Sequence, residues 1–370
     1  MINLGKAIEK LKGEIVFTIS VILAIVTSFI SMPKLEYIDF KVLLSLFNLM
    51  VMVKAFEELK IMDKLAVKIL NRYENARKVS LVLIGITFFS SMLITNDVAL
   101  ITFVPLALII GNRAKFNVMN TVIFQTLAAN IGSSLTPMGN PQNLFLFSFY
   151  SLKPLDFFKV TIPFVIMGGI WLIILNLKVK NGILEFALED IDIQDKKKSA
   201  IYGVLFLLII LSVFSIIDYK AIFVATLTIV LILDRNLLSK VDYFLLITFV
   251  CFFIFIGNLS NMDLIRSYLV SFLDNKAKTY VAALGLSQAI SNVPCAILLS
   301  SFTYNWRELL LGVNIGGMGT LIASLASVIS YKLYCDYPTT DGTKEYLIKF
   351  TAYNFVSLIL IGIVNYIVFV

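Results

Sequence analysis

Between residues 79 and 112 the chain runs for 34 residues with one charge, Asp97, and between 116 and 150 it carries none. A third stretch, 279–303, is also uncharged. A helix on the surface of a soluble domain shows a polar face to water, and these segments have no such face. As one straight helix, the first would be about 50 Å long, well beyond the roughly 30 Å of a bilayer's hydrocarbon core. Segments of this kind lie inside a membrane and are broken there. Composition agrees: of 370 residues, 59% are hydrophobic and 15% charged, with a mean hydropathy of +0.91. A soluble fold of this size has too little interior to hide that much apolar surface. The chain reads as a polytopic membrane protein.

The missing residue types narrow its function. There is no histidine, which removes Ser-His-Asp triads, Cys-His dyads and His-ligated zinc or haem. Cys251, Cys295 and Cys335 sit in apolar runs and read as small buried hydrophobes. No glycine-rich phosphate loop is present, so the chain has no ATP site of that type. Its net charge of +7 fits basic cytoplasmic loops better than contact with nucleic acid. Lys6, Lys10 and Lys12 precede an apolar run without a small-residue cleavage site, which predicts a retained first span. An intramembrane aspartyl protease needs two facing carboxylates, and the hairpin regions offer one. The reading is no enzyme, no cofactor and no metal site beyond a coupling ion.

Further spans are predicted at about 13–31, 39–57, 157–177, 199–217, 219–234, 240–257 and 345–369. Amphipathic stretches at 58–74 and 260–274 read as interfacial helices, or as arms joining a fixed body to a moving one. A charged loop, 178–198, separates two halves that resemble each other. Ile61-Met62-Asp63 recurs as Asn261-Met262-Asp263, and Thr95-Asn96 as Ser291-Asn292. Asn130-Ile131-Gly132 with Thr136 recurs as Asn314-Ile315-Gly316 with Thr320. The matches keep their order, with offsets of 200, 196 and 184 residues. This predicts a duplicated unit. The first repeat covers 1–180, with a cytoplasmic-side hairpin at 79–112 and an unwound helix within 116–150. A cytoplasmic linker spans 181–198. The second repeat covers 199–370, with an external-side hairpin at 279–303 and an unwound helix within 305–335.

Orientation follows from charge. Segment 54–78 carries seven Lys/Arg and its counterpart 258–278 carries three, which places the first in the cytoplasm and the second outside. An odd number of crossings, five, then separates the two hairpins, so the repeats are inverted. The expected fold class is an all-α membrane protein of about 9 full spans plus two re-entrant hairpins, arranged as scaffold and transport domains. The N-terminus is expected in the cytoplasm and the C-terminus outside, in the plasma (inner) membrane of the cell.

Chemistry concentrates at the breaks. Asn and Asp favour turns and caps, and at a hairpin tip the freed backbone groups face a cavity instead of lipid. Two roles suit Asp97: carrying a proton or neutralising a cation, and capping the second arm of its hairpin. The second tip, Ser291-Asn292-Val293-Pro294, has no carboxylate, and a proline-kinked helix is its plainer reading. Gly132, Gly139 and Gly316 permit unwinding, Pro137 and Pro141 enforce it, and tight helix packing is the other use of such glycines. The expected substrate ligands are Thr95, Asn96, Asn130, Thr136, Asn140, Ser291, Asn292, Asn314 and Thr320. Coupling falls to Asp97, Gly132, Gly139 and Gly316, with Na⁺ held at Asn96, Asp97 and Asn292 if Na⁺ is the ion. No Lys or Arg lies within 116–150 or 279–306, so a bound anion would rely on helix N-termini and co-bound cations. By composition a neutral solute or a cation fits equally well.

The run Leu93-Ile94-Thr95-Asn96-Asp97-Val98-Ala99-Leu100 through Pro105, with Asn130-Ile131-Gly132 and Thr136-Pro137-Met138-Gly139-Asn140-Pro141, resembles the ion transporter superfamily. Within it, the likeness is to arsenical-pump and citrate-transporter-like permeases, over nearly the whole chain. That resemblance implies a homodimer moving a transport domain by an elevator-like displacement, with a small-molecule or ion substrate and the lipid bilayer as partners. In the related divalent-anion/sodium symporters each tip carries Ser-Asn-Thr. Here the third position is Asp97 in one tip and Val293 in the other. An acidic tip is similar to the arsenite-efflux and Na⁺/H⁺-antiporter branches. The expectation is secondary transport of a small organic carboxylate or inorganic oxyanion coupled to H⁺ or Na⁺. Arsenite efflux or Na⁺/H⁺ antiport is the alternative, and an ion channel a remote one.

Overall fold

The computed structural model describes residues 15–184, 188–193, 195–338 and 342–370. Lys6, Lys10 and Lys12, on which the retained first span partly rests, lie outside the described residues. The fold is all-α, with no β-strand among the described residues. Helices α1 (Ile15–Ser28) and α2 (Phe40–Glu58) precede a short amphipathic α3 (Ile61–Leu70). A helical pair follows, α4 (Ala76–Ser91) and α5 (Asn96–Arg113), and then α6 (Met119–Ser133), α7 (Pro141–Phe149) and the long α8 (Pro154–Asn176). After the linker come α9 (Lys196–Val213), α10 (Tyr219–Leu233) and α11 (Tyr243–Ser260). The earlier order then repeats: amphipathic α12 (Asp263–Phe272), pair α13 (Lys276–Ile290) and α14 (Asn292–Ser300), then α15 (Trp306–Gly316), α16 (Leu325–Cys335) and long α17 (Thr343–Phe369).

Helix starts obey local chemistry. Asp39, Asn75, Asn140, Asp195, Asp218, Asp242 and Asn275 each accept a hydrogen bond from a backbone N–H of the helix they precede. Such caps satisfy donors that the helix itself leaves unpaired. Asn75 starts the first hairpin at Ala76, three residues before the expected boundary, and Asp195 starts α9 at Lys196 instead of 199. Among the described residues, four helices are long and apolar enough to cross a membrane: α5, α8, α11 and α17. In the first hairpin the arms have 16 and 18 residues, and in the second 15 and 9. The first pair matches the half-length arms expected of a 34-residue run, and its outer ends reach slightly beyond that run, to Ala76 and Arg113.

Both expected breaks are present: the first, expected over 130–141, is shorter, and the second, expected over 314–320, is shifted toward the C-terminus. The first covers 134–140 and the second 317–324, with a 3₁₀ turn at Leu321–Ala323. Asn130, Gly132, Asn314 and Gly316, expected in unwound chain, lie in the last turns of α6 and α15. The helices persist there because the glycines serve close packing. A Cβ on Gly132 would lie 2.2 Å from the Phe88 carbonyl oxygen, and one on Gly316 2.8 Å from Ser287.

Two packing groups emerge. α1, α2, α9, α10 and α11 pack on one another, and the hairpins pack on the broken helices. α6 is buried along its length apart from Asn120, which makes it the central helix of the second group. The groups meet where α2 touches α7 and α11 touches α14. Within the second group the contacts are reciprocal: α5 packs on α16, and α14 packs on α7. Swapping contacts between equivalent elements is what a two-fold relation produces.

The amphipathic helices differ. α12 buries no residue, whereas α3 buries Ala66, Val67 and Leu70. The linker straps the α3–α4 corner: the Asn71 side chain brackets the backbone of Leu188 at 2.9 and 3.0 Å, Gly182 O accepts from the Ala76 N–H at 2.8 Å, and Lys64 pairs with Asp192 at 3.0 Å.

Candidate functional site

The two hairpin tips and the two breaks meet at one buried polar junction. Lipid offers no hydrophobic drive for helices to associate, so packing and hydrogen bonds carry most of their cohesion. Asn130 is the hub on one side. Its Oδ1 accepts from Asn96 Nδ2 at 3.1 Å and from Ser324 Oγ at 2.9 Å, and its own amide donates to Gly317 O at 3.3 Å. Asn314 is the hub on the other. Its Oδ1 accepts from Asn140 Nδ2 at 3.2 Å, and its amide donates to Asn143 Oδ1 at 2.7 Å and Leu310 O at 2.9 Å. Ser133 joins the two hubs, accepting from Asn140 at 3.2 Å and donating to Asn130 O at 3.2 Å.

These bonds also run reciprocally. Asn140 and Ser324 occupy corresponding places at the 184-residue offset of the NIG repeat. Asn140 donates to Asn314 in the other half, while Ser324 donates back to Asn130. The repeated threonines match as well. Thr136 Oγ1 donates to Met92 O and Thr320 Oγ1 to Gln288 O (2.9 Å for the latter), each acceptor three residues before its tip. Both hydroxyls tie a break to a hairpin, and that of Thr320 also accepts the Ala323 N–H at 3.2 Å.

Of the expected site residues, the junction directly links Asn96, Asn130, Asn140 and Asn314. Thr136 and Thr320 flank it as braces. Gly139 O accepts the Asn96 N–H at 3.2 Å, and Gly316 O accepts Gln288 Nε2 at 2.8 Å, so both carbonyls already hold one protein donor. Gly132 acts in packing, as described above. Sequence reasoning missed Ser133, Asn143, Gln288 and Ser324. The offset of 184 applied to Asn140 points to Ser324, and the offset of 196 applied to Met92 points to Gln288.

The tips differ. Thr95 precedes α5 with relaxed extended angles, φ −62° and ψ 153°. Asp97, half-buried in the first turn of α5, receives a hydrogen bond from the Thr95 hydroxyl and feels the charge of Asp242, the cap of α11. Ser291 has φ 74° and ψ 154°, a conformation almost reserved for glycine. Gln288 holds that turn, its amide donating to Gly316 O and Met318 O and its Oε1 accepting from the Thr320 N–H. Asn292 is 4% exposed, and its Oδ1 accepts from Ser291 Oγ at 3.5 Å. Together with the Asn292 and Val293 N–H groups at the start of α14, where Pro294 has none, its side chain forms a buried polar patch. No group of three metal-ligating side chains occurs among the described residues.

A sequence profile described as "Citrate transporter" matches residues 6–306. The chain belongs to the citrate transporter family. Relatives agree with that membership. An uncharacterized transporter of Methanocaldococcus jannaschii is 36% identical over 323 residues, covering 85% of this chain and 87% of the relative. Inner membrane protein YbiR of Escherichia coli is 28% identical, covering 90% and 88%. A putative transporter, arsB, of Dictyostelium discoideum is 32% identical over 83 residues, which is 22% of this chain and 15% of that protein. This family member is therefore a membrane transporter, and the polar junction is its candidate cargo site.

Proposed function

We propose that this transporter carries a small anion, coupled to H⁺ or Na⁺, by an elevator-type movement of the hairpin-bearing group against the group of α1, α2 and α9–α11. The carrying observation is the junction itself: two tips and two breaks converge on Asn130 and Asn314, with one carboxylate, Asp97, beside them. An anion would be held by Asn292, by the first-turn N–H groups of α14, and by a co-bound cation, since no guanidinium or ammonium enters the junction among the described residues. The first-turn N–H groups of α5 are taken, those of Asn96 and Asp97 by Gly139 O and the Asn96 side chain. A carboxylate is favoured over an inorganic oxyanion, because the family's description names citrate. The reciprocal bonding supports inverted repeats, in which each hairpin closes the site from one face. A homodimer built on the scaffold group, with the N-terminus in the cytoplasm and the C-terminus outside, completes this reading.

Asp97 takes up and releases the coupling proton or neutralises the coupling cation. Reconstituted vesicles test this. Uptake that stops when the proton gradient collapses and ignores Na⁺ assigns H⁺, and the reverse pattern assigns Na⁺. Thermal shift of the purified chain against citrate, other carboxylates, arsenite, sulfate and phosphate identifies the cargo, because a ligand of the native state raises its melting temperature. Arsenite efflux or Na⁺/H⁺ antiport is the second reading, favoured by the acidic residue in the first tip and by the arsB likeness. A melting shift with arsenite and none with carboxylates would replace the first reading by the second.

A further inference from the structure

A cavity of about 220 Å³ lies away from the polar junction, where the two packing groups meet. Its lining includes none of the junction residues. One wall is α7, with Phe145 and Phe149, and another is α11, with Phe253 and Gly257. Tyr37 closes it from the α1–α2 loop, its ring stacked over Gly257 and its hydroxyl accepting from Asn261 Nδ2 at 2.6 Å. Phe145 is the hub of the aromatic wall, with ring centroids 5.3 Å from Phe149 and 5.8 Å from Phe253. Two carboxylates, Glu36 and Asp39, stand at the same cavity, and no Lys or Arg lines it. Two bases are nearby in sequence, Lys34 and Lys41; neither lines the cavity, and Lys41 Nζ donates to Ser215 Oγ at 2.8 Å.

Aromatic faces and carboxylates around one space attract one kind of ligand. The ring quadrupole presents negative charge at its face, so a cage of such faces binds an ammonium whose alkyl groups also fill the apolar volume. An anion would meet two like charges here, and a neutral solute would leave both carboxylates unused. We propose that this cavity is a second site, for a small alkyl- or arylammonium, and that its occupant locks the transporter. The locking rests on the elevator reading given above, and the site does not. The walls come from both groups, and Asp39, which caps α2, also accepts from Ser148 Oγ of α7 at 3.0 Å. A ligand wedged beside that bond would hold α7 to α2 and stop one group sliding past the other.

The test uses the purified full chain and phenyltrimethylammonium, with benzenesulfonate as a ring-bearing anion of similar size. Phenyltrimethylammonium is expected to raise the melting temperature in a saturable way, and benzenesulfonate to leave it unchanged. Glu36→Gln, at an exposed position, should weaken the apparent affinity about threefold to fivefold. Ser301→Phe, which fills the cavity, should abolish the shift while the protein still melts cooperatively. No shift with the wild type, or an undiminished shift in Ser301→Phe, overturns the site. These readouts need neither cargo nor transport, so they stand apart from the proposed function. In vesicles the same cation should slow uptake without competing with cargo, and binding without slowing overturns the lock while leaving the site.

Discussion

The two hairpin tips occupy corresponding places in the two halves, yet they are built on different principles. The first tip has a relaxed backbone and a charge: Thr95 is extended without strain, Asn96 is bonded to Asn130, and Asp97 brings a carboxylate. The second has a strained backbone and no charge: Ser291 is held at positive φ, and the Asn292 side chain is buried beside it. The two tips share their bracing, Thr136 to Met92 and Thr320 to Gln288, while their third residues differ, Asp97 against Val293. The difference suggests a division of labour, with the first tip handling a proton or cation and the second presenting donors to an anion.

The largest expected effect breaks that comparison outright. Asp97→Asn should lower coupled transport by about two orders of magnitude in reconstituted vesicles while the protein stays folded. Full activity would remove the carboxylate from the mechanism. Placing the charge on the other tip, as Asp97→Asn with Val293→Asp, should not restore transport. Recovery would mean the tips are interchangeable.

The hubs come next. Asn130→Ala leaves Asn96 Nδ2 and Ser324 Oγ without their acceptor and should cost about 3 kcal/mol of stability, read as a lowered melting temperature. Asn314→Ala should cost a similar amount if the reciprocal bonding is energetically even. The braces should differ modestly: Thr136→Val loses one hydroxyl bond, to Met92 O, and should cost about 1 kcal/mol, whereas Thr320→Val loses its bond to Gln288 O and its cap on the Ala323 N–H and should cost about 2 kcal/mol. Equal losses would show that the cap at Thr320 carries no stability of its own. Opposite signs are expected at the tips themselves. Ser291→Gly relieves a disfavoured conformation and should stabilise by about 1 kcal/mol, whereas Thr95→Gly adds unfolded-state freedom and should destabilise by about 0.5 kcal/mol.

Sequence revealed this architecture where chemistry repeats as identical letters. Asn130 and Asn314 share the NIG match, and the absence of charge around them marked the membrane interior. Ser324 escaped because its counterpart is Asn140: the two do the same job with different side chains, and only geometry equates them. Asn143 was hidden for a related reason, since its partner Asn314 is 171 residues away and no local pattern links them. The positive φ of Ser291 was not legible either. It is imposed by Gln288, whose hold on Gly316, Met318 and Thr320 depends on the folded break. The expected unwinding was too long at its start because glycine in a helix signals two things, freedom and closeness. At Gly132 the closeness of the Phe88 carbonyl decides.

The crossed bonds between Asn140 and Asn314, and between Ser324 and Asn130, span 174 and 194 residues. Synthesis adds residues at about 5–20 per second, so the first half waits in the bilayer for roughly ten to forty seconds before its partners are made. Through that interval Asn130 and Asn140 keep their partners Asn96 and Ser133 but lack those of the second half, in an environment that tolerates unmet polar groups poorly. Birth of this protein thus includes a vulnerable period, in which water, another membrane protein or the insertion machinery must cover the half-built site. A chain truncated after α8 would remain in that condition permanently, and it is the species a membrane quality-control protease should recognise.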